Sequence, residues 1–173
     1  MRALIDTWLN LPPADASFLS RHSISSMAAS LVGGVCAEPG GQWIVPAFLD
    51  PPSIYHMVIE PVLIDLLTFD PEQADRWTLQ RGDAAMLGEA VLEEAAFFNY
   101  PLPVFRNPLS WLRAGGIGVM PIDLPAFAQA VLWTPVPELV VKDVQHGLDI
   151  ERVIDRAAKI EKPIITVEMQ EDA

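Results

Sequence analysis

The chain has one cysteine, Cys36, and few cations: 11 lysines and arginines stand against 23 aspartates and glutamates, a formal charge of −12. A single thiol excludes an intrachain disulfide and every CxxC zinc site. The shortage of cations bears on partners. Affinity for nucleic acid comes largely from lysine and arginine neutralising phosphates, so the summed field of this chain opposes approach to a polyanion. Long apolar runs are missing as well. None approaches the roughly 20 residues that span a bilayer. The longest apolar stretch, Ile117 to Val141, is broken by Asp123, Gln129, Glu138 and several prolines. The opening residues, Met1 to Asp6, place an acid where a secretory leader would be apolar. These absences predict a soluble, cytoplasmic protein without a membrane partner or a direct nucleic-acid partner.

What is present is core-forming. Hydrophobic residues make up 51% of the chain, and 16 prolines punctuate the apolar runs. That composition predicts one α/β domain over residues 1–173, with residues 1–34 as a helical segment packed on it. Leu4, Ile5, Trp8 and Leu9 repeat at helical spacing up to Pro12-Pro13. A second helix is expected from the N-cap Asp15 to Leu31, stopped by Gly33-Gly34, which makes an N-terminal helical pair. Val35-Cys36-Ala37 and Trp43-Ile44-Val45 flank a turn and read as a hairpin. Val62 to Phe69 is an almost continuous apolar run that predicts a strand buried on both faces, partnered by Trp77 to Gln80.

A helix is expected from Asp83, then alternating elements. Strands fall near 103–105, 117–122, 138–142 and 163–168. Helices are expected at Pro108–Arg113, after Asp123, and at 148–160. Strand–helix alternation predicts a single mixed, partly parallel sheet with covering helices.

Asp65 is the conspicuous charge, because it interrupts a run that otherwise favours burial. A buried carboxylate must be paired, protonated or ligating, and the alternative is that it faces water at an edge. With Asp70 or Glu60 it is a candidate carboxylate site for a metal-assisted, hydrolase-like or nuclease-like reaction. His146, between Asp143 and Asp149, is a weaker catalytic candidate, read here as solvated. The three histidines, His22, His56 and His146, fit no HxH or HExxH spacing, and His22 reads as packed or half-buried. No metal site and no cofactor is expected. The serines of the second helix lack a nucleophile elbow. Cys36 has no neighbouring cation and reads as buried and inert. Gly115-Gly116-Ile117-Gly118 follows a helix and precedes a strand, the reverse of a phosphate loop, so helix termination explains it. Trp111 and Arg113, on a short capped helix, are candidate anchors of a protein interface, and the alternative is that Trp111 packs that helix onto the sheet.

The segment Asn107 to Val119, with Ile64 to Phe69 and Arg76-Trp77, resembles uncharacterised proteins from phage-like or mobile regions of proteobacterial genomes. The resemblance covers about a third of the chain and implies a genomic setting, with no activity or functional residue to transfer. The resulting expectation is a non-enzymatic binding or accessory protein acting on another protein, with homo-oligomerisation as an option. The small metal-assisted enzyme is the alternative, and an acidic inhibitor that mimics nucleic acid is a further one.

Overall fold

Helix ends shape the first third of the molecule. The computed structural model describes residues 2–38, 40–48 and 62–159. Helix α1 spans Arg2–Leu9 and α2 spans Ala16–Arg21, where the Asp15 carboxylate accepts the Ser17 N–H at 2.7 Å. The chain then breaks where one continuous helix was expected. Ser23 takes a left-handed φ of 61°, and the Ile24 N–H turns back to the Leu19 carbonyl at 2.9 Å. This is a Schellman ending with serine in the position glycine usually holds. Ser25 then caps α3, Ser26–Leu31, by accepting the Ala28 N–H at 3.0 Å. Three short helices replace the expected pair.

The hairpin is as read: β1, Cys36–Ala37, pairs antiparallel with β2, Trp43–Phe48. β2 pairs with β3, Leu63–Phe69, and β3 with β4, Trp77–Leu79, all antiparallel in the order β1-β2-β3-β4. The β3 run is buried on both sides, as its composition predicted. Leu66 joins Leu4, Cys36 and Ile44 on one face, while Leu67 and Phe69 join Trp43, Val45, Leu19 and Leu112 on the other. Each large side chain so buried contributes about 1.5–3 kcal/mol.

The second half alternates. β5 (Met86–Leu87) precedes α4 (Glu89–Phe98), and β6 (Leu102–Pro103) precedes α5 (Pro108–Arg113). β7 (Met120–Pro121) precedes α6 (Leu124–Trp133), and β8 (Leu139–Val140) precedes α7 (Val144–Ala158). α4 begins later than expected, because Met86 and Leu87 are extended and pair with β7. α7 begins earlier, because Asp143 caps it by accepting the His146 N–H at 3.1 Å. The expected strand at 163–168 lies outside the described residues.

The molecule is α/β with mixed pairing, but among the described residues its strands are divided among separate ladders and do not form one sheet. β5 is antiparallel to β7, β6 is parallel to β8, and a parallel bridge from Val104 to Val119 joins the two pairs. The order β5-β7-β6-β8 results. Two glycines permit this junction. A Cβ on Gly118, at φ 123°, would stand 2.5 Å from the Pro103 carbonyl oxygen, and one on Gly88, at φ 77°, 2.3 Å from that of Gly118. Neither position admits a side chain without moving backbone. A second core of Met86, Leu92, Leu102, Val119, Phe127 and Ile150 lies between α4, α6, α7 and these strands.

Candidate functional site

Asp65 is fully buried, so it does not face water. Its Oδ1 accepts the N–H groups of Leu66 (2.8 Å) and Arg81 (2.9 Å), and its Oδ2 those of Gly82 and Asp83 (2.8 Å each). Burial pushes the carboxyl pKa up. The N–H groups of Arg81, Asp83, Leu66 and Gly82 together outweigh it and hold the group below the ordinary value. The charge is spent on fixing the turn after β4. Asp70 does not join it, because its carboxylate caps the following turn by accepting the Glu72 N–H at 2.9 Å. Glu60 lies outside the described residues. Among the described residues no group of three or more His, Cys, Asp and Glu side chains is placed to hold a metal ion.

His146 is buried, not solvated as the sequence implied. Burial pushes its pKa down and the Arg106 guanidinium adds to this, against the opposing carboxylates of Asp143 and Asp149. Arg106 is itself engaged by Asp143 at 3.2 Å. The group sits in the first turn of α7. Cys36 is buried as expected, its pKa raised by burial.

Trp111 is only 4% exposed and belongs to the core. Its indole N–H donates to the Gly118 carbonyl at 3.0 Å, so it locks the glycine junction and presents no surface of its own. Arg113 is exposed, and its Nε donates to the His22 carbonyl at 2.8 Å, tying α5 to the end of α2.

Two further features lie outside the candidate sites read from the sequence. His22 is half-buried, with its ring edge-on to Trp43 and its Nε2 3.7 Å from the Glu72 carboxylate. It lines an open cleft of about 620 Å³ with Phe18, Arg21, Gln42 and Asp70. An imidazole–carboxylate pair can relay a proton, but among the described residues the cleft lining holds no serine, threonine, cysteine or lysine for it to activate.

The other feature is apolar. Phe97 and Phe98, the last residues of α4, are 82% and 64% exposed, and their rings meet edge to face at 4.9 Å. Trp133, the last residue of α6, is 87% exposed, and Leu132 beside it is exposed too. The topology brings these helix ends to the same end of the molecule. α4 ends just before β6 and α6 just before β8, and those strands run parallel with Leu102 opposite Leu139. Both C-termini therefore lie at the end of the molecule where β6 and β8 begin.

Local sequence explains why the helices stop there. Asn99 takes the left-handed conformation, and the Tyr100 N–H returns to Ala95 at 3.0 Å, while Pro135 and Pro137 follow α6. Single exposed apolar side chains are ordinary, but three aromatics at one end are not.

Compared with protein-family models, curated proteins and solved structures, the chain matches none. The site therefore rests on its own geometry. Among the described residues, no helix is long and apolar enough to cross a membrane.

Proposed function

We propose that the protein is a non-enzymatic binding or accessory protein that acts by contact with another protein, through the end formed by Phe97, Phe98, Leu132 and Trp133. One observation carries this: three large aromatic side chains stand in water at the C-termini of α4 and α6, which lie at the same end of the molecule. Burying each would contribute about 1.5–3 kcal/mol, a gain that folding leaves unused and association can collect. Phenylalanine and tryptophan present a large contact area at little conformational cost, and tryptophan is prominent among interface anchors. Asp65 and Trp111 support the same reading from the other side. These two of the candidate residues are occupied by hydrogen bonds inside the protein. A phage-like or mobile-element setting, the one implied by the resemblance of Asn107 to Val119, fits an accessory role of this kind.

The test is affinity capture from cells of the source organism with the native chain and with the Phe98→Ser/Trp133→Ser variant, read by mass spectrometry. A protein retained by the native chain and lost by the variant is the expected result. Equal retention by both would remove this end from the function.

A further inference from the structure

The chemistry of the partner follows from the charges around this end, given the reading of it as a contact surface. We infer that the partner presents a basic amphipathic segment, with apolar side chains for the aromatic end and lysine or arginine for its rim.

Between Gly82 and Val141 the chain has two basic residues, Arg106 and Arg113, against six acidic ones. Both arginines are committed elsewhere, Arg106 to Asp143 and Arg113 to the His22 carbonyl. The elements that form the end carry Glu93 and Glu94 on α4 and Glu138 just before β8, all exposed, while α6 has no charged residue. Glu94 also accepts a hydrogen bond from Tyr100, whose pKa is raised by burial and by that carboxylate. α7, packed on α6 and running back towards this end, adds both signs: Arg152 is paired with Asp149 at 3.0 Å, and Arg156 and Lys159 are accompanied by Glu151 and Asp155. The aromatic end thus has an acidic rim on a body of formal charge −12.

A second copy is a poor occupant, because an isologous contact would set Glu93 and Glu94 against their equivalents. A basic segment gains from the same field, which speeds its encounter and fixes its register.

The probe is an amphipathic helical peptide of leucine and lysine, titrated into the full chain. Its control is the same peptide with glutamate for lysine. Trp133 emission, taken as the difference between the native chain and Trp133→Phe, shifts to the blue on saturation with the basic peptide. The double variant Phe98→Ser/Trp133→Ser, which keeps the net charge, binds a labelled copy at least about tenfold more weakly, as loss of central anchors does. Added salt weakens the native complex, and the acidic peptide does not bind.

Equal affinity for the acidic peptide would overturn the inferred partner and leave the contact surface standing. Equal binding of the basic peptide to the double variant would also overturn it, by showing attraction to the whole charge and not to this end. So would binding of neither peptide, a dimer in sedimentation, or a Trp133 already shielded from iodide in the free chain. Loss of the contact-surface reading itself would appear in the capture experiment, where the double variant would keep its partner.

Discussion

The antiparallel half, β1 to β4, and the mixed half, β5 to β8, treat their unusual residues in opposite ways. The first buries a carboxylate and satisfies it with four backbone N–H groups, so that its one costly charge becomes a structural tie. The second buries Trp111 by the same logic, yet leaves Phe97, Phe98 and Trp133 in water at the ends of two helices. Where a polar group is fully satisfied, nothing is left over for a ligand. Where apolar area stays exposed beside a packed core, the unsatisfied quantity is contact area, and only a partner supplies it.

The comparison breaks most easily at Asp65. Replacing it with alanine strands the N–H groups of Arg81, Gly82 and Asp83 and is expected to cost about 3 kcal/mol in urea unfolding. The pH dependence has a definite sign. The folded pKa is depressed, so the stabilisation is complete above the unfolded value of about 3.9 and is lost as pH falls through the folded one. Asp65→Asn should flatten that part of the acid-unfolding curve. An unchanged acid limb would show that the carboxylate is not the tie described.

Gly118→Ala tests the junction of the second half. A methyl 2.5 Å from the Pro103 oxygen, at φ 123°, is expected to cost about 2–3 kcal/mol. A smaller loss would mean that the strands can move apart there freely.

His146 gives a gentler effect. Its pKa is lowered in the folded protein, so the unfolded chain takes up the proton first, and stability declines as pH drops below about 6.5 towards the folded value. His146→Gln should remove this slope from thermal unfolding measured across that range. The smallest effect is predicted at the exposed end. Phe98→Ser and Trp133→Ser should change unfolding free energy by no more than about 0.5 kcal/mol, as surface substitutions do. A large loss would place these aromatics inside the core and erase the contrast between the halves.

Most elements were legible, because their signals are local. Asn107, Asp123 and Asp15 each cap the helix that their side chains announce, and Gly33 and Gly115 turn left-handed at helix ends. Ser23 was not legible, because serine in that conformation carries no compositional mark, so one helix was read where two exist. Sheet division was hidden for another reason: it depends on backbone approach at Gly88 and Gly118, and no periodicity encodes that. The tie at Asp65 spans 16 to 18 residues to its loop partners, too far for spacing to reveal. Burial of Trp111 was one of the two readings its helix allowed, whereas exposure of Trp133 was invisible. Trp111 lies inside α5, which packs on α3, whereas Trp133 ends α6, whose packing partner is α7.

Hydroxyl-radical footprinting of the full chain, free and with its captured partner, tests the central claim most directly. Protection of Phe97, Phe98, Leu132 and Trp133, with the cleft around Phe18 and His22 unchanged, is the predicted pattern. Protection centred on that cleft, with the four side chains as reactive as before, would contradict it.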